Sequence, residues 1–177
     1  MKTLGLLRHA KSDWDDVSLR DFDRGLNDRG RRGAALMGAH IREHGVSFDL
    51  LLASPAERVK RTLDAARLQV PIHWDERVYL ADSAGLIEVL RGVEGDPTAV
   101  LVAGHNPGLQ ELIFDLVSTE NENDLFGTAA EKYPTATFAV LELAIDRWPD
   151  CAPETGKLVH LARPRDLDPA LGPERVR

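Results

Sequence analysis

Between Met1 and Val117, short apolar runs alternate with stretches whose apolar residues recur every three or four positions, and no other feature restricts the fold as strongly. Leu4 to Leu7, "FDLLLA" from Phe48 to Ala53, "PIHW", and "TAVLVAG" from Thr98 to Gly104 read as strands. The last is almost continuously apolar, the pattern of a strand buried on both faces of a parallel sheet. Between the first two runs, Asn27 or Asp28 can cap a helix reaching His44, with Ala34, Met37 and Ile41 on one face and Gly45 as a left-handed stop. "SPAER" predicts another helix start, with Ser54 as N-cap, Pro55 at the first position and Glu57 as capping-box partner, followed by Val59, Leu63 and Ala66. Leu86, Ile87 and Leu90 mark a helix from Ala84 to Arg91, and "HNPGLQELIFDLV" a further one with Asn106 as cap and Pro107 in the first turn. Strand alternating with helix implies an α/β fold, with a mainly parallel central sheet and helices on both faces. Ser12 to Asp28 and Ser118 to Pro134 read as polar loops, "TATFAVLELA" and "KLVHLA" as the final strands, and the Pro-containing end from Arg163 as a tail. Residues 1–165 are expected to form one domain and 166–177 the C-terminal tail.

The 177 residues are 43% hydrophobic, enough to enclose one substantial core. A formal net charge of -7 argues against a general nucleic-acid or membrane-surface binder, since both partners attract basic proteins. It leaves room for a locally positive pocket. Cys151 is the single cysteine, so no internal disulfide can form and a reducing compartment is the natural setting. The apolar start is too short for a secretory signal, and no run reaches the length of a membrane span. The expectation is a cytoplasmic protein.

Ligands of open parallel sheets bind beyond the carboxyl ends of the strands, beside helix N-termini. The first strand ends at Arg8 and His9, the second leads through Ser54 to Arg58, and the fourth ends at Gly104 and His105. Arg8, Arg58, His9 and His105 can therefore converge. Guanidinium forks match phosphate oxygens bidentately, and their positive charge disfavours imidazolium, leaving a histidine neutral and nucleophilic. This suggests covalent phosphoryl transfer, with His9 attacking phosphorus while Arg8, Arg58 and His105 stabilise the equatorial oxygens. Water would then release inorganic phosphate.

"LLRHAKS", "SPAERVKRT" and "VAGHNPGL" resemble the three signatures of the histidine phosphatase superfamily. The finer series of "RHAKSDW", "DFDRGLNDRGRRGA", "YLADS", "YPTATFAVLEL" and "RPRDL" is similar to its SixA-type phosphohistidine phosphatase branch, in order from Met1 to Leu167. The resemblance implies a three-layer, phosphoglycerate mutase-like sandwich, a cofactor-free and metal-free mechanism, His9 as phosphoryl acceptor, and Arg8, Arg58 and His105 as phosphate-pocket residues. Ala10 departs from the superfamily's usual glycine, although small residues are usual there in this branch. The implied substrate is a phosphohistidine on a partner protein. A small phosphate ester is the alternative, and a phosphate-binding module without turnover is a third reading.

The family's phosphomonoesterases generally use a carboxylic acid to protonate the leaving oxygen. Glu76 and Asp82 lie in the appropriate region, though neither sits in a recognisable acid motif. Imidazole leaves as a weaker base than an alkoxide and needs less help, so a missing acid favours a P–N substrate. Lys11 and Ser12 follow the nucleophile and can donate to phosphate, or serve as ordinary loop residues. Arg24 reads as a solvated loop residue or one at the pocket mouth, and Trp14, Trp74 and Trp148 as packing residues. His40 and His44 have metal-chelating spacing but no partner motif, and read as helix-end residues. His73 and His160 read as scaffold.

Overall fold

The computed structural model describes residues 1–172 and contains one six-stranded mixed sheet, in the order β3-β2-β4-β1-β5-β6. Its strands are β1 (Lys2–Arg8), β2 (Leu50–Ala53), β3 (Ile72–Trp74), β4 (Ala99–Gly104), β5 (Phe138–Leu143) and β6 (Gly156–Ala162). The first four are mutually parallel; β5 runs antiparallel to β1, and β6 antiparallel to β5.

Strand alternation builds three layers. Leu4 and Leu6 of β1, Leu52 of β2 and Val100 and Val102 of β4 enter one core. It is shared with α3 (Ser83–Arg91), α4 (Gly108–Leu116) and α5 (Asp124–Glu131). Leu7, Leu51, Ala53, Leu101 and Ala103 point the other way, toward α1 (Asp28–His44) and α2 (Glu57–Ala66). The alternating residues are fully or nearly fully buried, and a leucine so placed contributes about 2 kcal/mol by area.

The chain ends α1 as its sequence predicts: Asn27 Oδ1 accepts from Gly30 N at 2.7 Å, and Gly45 takes φ 97°. Ser54 does not cap α2. The helix starts at Glu57 after an extended Ala56, and the Ser54 hydroxyl accepts from Ala56 N at 3.3 Å while facing His105 Nε2 at 2.7 Å. Ala56, with φ -57° and ψ 143°, is the N-cap in its place and carries no side-chain cap. Glu57 forms an ion pair with Arg61 rather than a capping box. In α4, Asn106 Oδ1 accepts from Gln110 N at 3.2 Å, one residue ahead of the Pro107 N-cap.

The segment expected to be a loop from Ser118 to Pro134 contains α5, capped by Asn123 Oδ1 accepting from Phe126 N at 3.0 Å. Its acidic start masked the apolar face of Leu125, Phe126 and Ala129, which packs on the core. From Arg163 the chain forms the short α6 (Pro164–Leu167) and a 3-10 turn, Pro169–Leu171, which returns toward α1. Residues 173–177 of the expected tail lie outside the described residues. Among the tryptophans, Trp148 is fully buried and donates to Pro97 O, whereas Trp14 and Trp74 are exposed, a correction to their reading as packing residues.

Candidate active site

Sheet register carries the site. Arg8 is opposite Gly104, so the next residue of each strand, His9 and His105, emerges side by side, joined by His9 N donating to Gly104 O at 3.0 Å. Ala53 is opposite Ala103, which places Ser54 beside that pair, with Ser54 N donating to Ala103 O at 3.1 Å. The chain leaves β1 toward β2 on one side, and leaves β4 toward β5 on the other. This reversal opens a crevice at the carboxyl ends of β1 and β4.

The two imidazole centroids are 5.3 Å apart. His9 Nδ1 lies 2.7 Å from Ala10 O. A carbonyl oxygen only accepts, so Nδ1 carries the proton and Nε2 keeps its lone pair. The opposite tautomer holds at His105. Arg58 Nη2 donates to His105 Nδ1 at 3.2 Å, so Nε2 bears the proton and donates to Ser54 Oγ at 2.7 Å. Both rings are buried, at 8% and 4% exposure. Burial, reinforced by Arg8 and Arg58 and opposed by the Ala10 carbonyl, pushes His9 down to about 4. Burial, His9 and Arg58 push His105 down to about 3. Both are therefore neutral near pH 7.

A hydroxyl behind the pair fixes these positions. Thr62 Oγ1 accepts from Ala10 N at 2.9 Å and donates to Arg58 O at 2.7 Å, locking the residue after His9 to α2. Gly30 lets the first turn of α1 press on the same segment, since a Cβ there would stand 2.2 Å from Lys11 O. Neither residue was singled out by sequence. Thr62 sits four positions beyond Arg58 on the buried face of α2, the one signal available.

Arg8, His9, Lys11, Ser12 and Arg58 line one cavity of about 450 Å3, within the usual range for small-ligand sites. Arg29, Lys132 and Arg165 extend its basic rim, and Leu171 and Gly172 of the former tail close one side. The cavity is thus locally cationic on an acidic protein. Arg8 Nη1 donates to Tyr133 O at 2.9 Å, while its Nε is a buried donor without a hydrogen-bond partner among the described residues. An anion oxygen would satisfy it.

Glu76 and Asp82 do not line this cavity. Glu76 is exposed at the start of a 3-10 turn, and Asp82 caps α3 by accepting from Gly85 N at 2.8 Å. Sequence reasoning instead missed Asp21, the carboxylate among the lining residues. It lies in the loop after β1 and accepts from Arg58 Nη2 at 3.0 Å and from the Tyr79 hydroxyl at 2.6 Å. Those hydrogen bonds and the Arg58 charge outweigh its desolvation and hold its carboxyl below the usual range, so it is ionised. Arg24 is buried, donates to Asp16 O and Leu19 O, and lies 4.1 Å from the Trp14 ring. It braces the loop carrying Asp21.

The sequence model of the histidine phosphatase superfamily (branch 1) matches residues 4–90. An uncharacterised protein of Mycobacterium tuberculosis is 35% identical over 160 residues, 90% of this chain and 100% of the relative. Two solved structures named as SixA phosphohistidine phosphatases superpose along nearly their whole length. The Nakamurella multipartitia protein gives a TM-score of 0.82 at 28% identity, covering 92% of this chain and 96% of its own. The Agrobacterium tumefaciens protein gives 0.73 at 26%, covering 91% and 97%. These likenesses support phosphatase activity. No helix among the described residues is long and apolar enough to cross a membrane. On the matched family, the end-to-end structural likeness and the paired strand-end histidines, this chain belongs to the histidine phosphatase superfamily.

Proposed function

We propose that the protein hydrolyses phosphohistidine on a partner protein through a phosphoryl group carried transiently by His9. The observation carrying this reading is the Ala10 carbonyl held against His9 Nδ1, which leaves the Nε2 lone pair beside Arg8 and Arg58. The lone pair attacks phosphorus as the bond to the substrate nitrogen breaks. A proton on the other nitrogen of the substrate ring lets neutral imidazole leave. His9 then carries phosphorus on Nε2 and its original proton on Nδ1. Attack by water breaks the new P–N bond, returns the electron pair to Nε2 and releases inorganic phosphate. Arg8 and Arg58 supply charge-assisted donors to the equatorial oxygens throughout, and no metal or cofactor takes part.

The carboxylates favour nitrogen over oxygen as the leaving atom. Asp21 is ionised and committed to Arg58 and Tyr79, and Glu76 and Asp82 stand outside the cavity, so an alkoxide would lack a protonated acid nearby. Lys11 and Ser12 lie on the lining to orient the phosphoryl group, while the rim of Arg29, Lys132 and Arg165 suits an acidic partner surface. The test compares a phosphohistidine protein with a panel of phosphate esters, using wild type and His9→Ala. Faster turnover of phosphohistidine and its loss in His9→Ala are expected. Faster turnover of every ester would overturn the substrate, and unchanged activity in His9→Ala the mechanism.

A further inference from the structure

Away from the cavity, β6 brings a third histidine to the pair on α1. His40 and His44 stand one helical turn apart, and His160 projects from the edge strand toward both. His40 Nε2 is 2.9 Å from His160 Nε2. Ring centroids are 4.0 Å apart for His44 and His160 and 5.1 Å for His40 and His160. One ring nitrogen from each of the three lies within 4.8 Å of the others. Phe138 packs its ring edgewise against His40 and His44 and walls the inner side. None of the three histidines lines the phosphatase cavity.

We propose that His40, His44 and His160 bind one divalent transition-metal ion of the zinc class. Hydrogen bonding alone gives a poor account of the trio. Two imidazole nitrogens face to face can share a single proton, and the third ring crowds them. A cation accepting a lone pair from each satisfies all three. Imidazole nitrogens bind zinc at about 2.0–2.1 Å, so tetrahedral ligands stand about 3.3 Å apart. The 2.9 Å contact and the 4.8 Å limit bracket that spacing, and the side-chain χ angles can close the difference.

Two histidines at i and i+4 on a helix, joined by one from another element, form a three-nitrogen face with a fourth position open to water. The half-burial of all three is consistent with that open side. Histidine is a common ligand for zinc, nickel and copper(II), so the site takes that class rather than magnesium or calcium, which prefer oxygen.

Bound metal would fasten the end of α1 to the outer strand. The other end of α1 presses through Gly30 on Lys11, behind His9. The ion therefore stabilises the helix that backs the nucleophile without entering the reaction.

The test uses chelator-stripped, tag-free full-length protein, titrated with Zn2+ by calorimetry and with Co2+ by visible absorption. One equivalent, the intense d–d bands of four-coordinate Co2+, and a zinc-dependent rise in Tm reversed by chelator are expected. His40→Gln, His44→Gln and His160→Gln should each weaken binding at least about 10-fold, whereas His73→Gln should not. Circular dichroism establishes that each variant is folded, and the two helix variants read the site if the strand variant unfolds. Absence of binding at about 100 μM metal, or affinity unchanged in the folded variants, would overturn the proposal.

Discussion

Acid should unfold this protein in a window set by its buried histidines. His9 and His105 are neutral in the folded state and lie well below the ordinary imidazole value of 6.5, at about 4 and about 3. The unfolded chain takes up protons below 6.5 that the folded chain refuses. Stability is therefore fully present above 6.5 and falls as pH drops toward the folded values. At about pH 5 each imidazole accounts for about 1.5 pH units of that difference, or about 2 kcal/mol. Together they cost about 4 kcal/mol, a large part of a typical domain's stability. Asp21 and Asp75 are also shifted downward, but from the ordinary carboxylate value, so their stabilisation is lost only as pH falls through the range below this window. The assay is urea unfolding in phosphate-free buffer at about pH 7.5 and about pH 5, on wild type and on His9→Gln/His105→Gln. Wild type should lose several kcal/mol more than the double variant, whose remaining slope reports His40 and His160. Equal slopes in the two proteins would refute the neutral, desolvated state assigned to the catalytic pair.

Thr62→Val should remove both the acceptor for Ala10 N and the donor to Arg58 O, lowering kcat about 10-fold with little change in KM; Thr62→Ser should restore most of it. Gly30→Ala forces the Lys11 carbonyl to move and should lower Tm by several degrees, measured by thermal denaturation, together with kcat. Asp21→Asn removes the carboxylate from Arg58 and Tyr79 and should tighten inorganic phosphate several-fold by calorimetry. Weaker phosphate binding in that variant would show that Asp21 chiefly positions Arg58.

The residues legible in the sequence were those fixed by strand ends and helix starts. Arg8, His9 and His105 follow apolar runs whose period declares them strands, and parallel register then leaves only a short step between the two histidines. Arg58 was legible as a first-turn residue of a helix whose start was misplaced by only a few residues. Asp21 was hidden because loop geometry has no period, and its partners Arg58 and Tyr79 come from other parts of the chain. Ser54 looked like a cap because the local pattern matched one, yet its hydroxyl serves His105 across 51 positions. His160 lay beyond reach for the same reason: its neighbours on α1 are set by the sheet order, which no local pattern in "KLVHLA" encodes.

The most direct test of the phosphoryl-transfer account is to mix enzyme with 32P-labelled phosphohistidine protein, quench within milliseconds into alkali, where phosphohistidine survives, and map the label by mass spectrometry. Label on the peptide bearing His9, at its Nε2, with none in His9→Ala, is expected. Label on another residue, or full turnover with no enzyme-bound phosphate at any quench time, would contradict it.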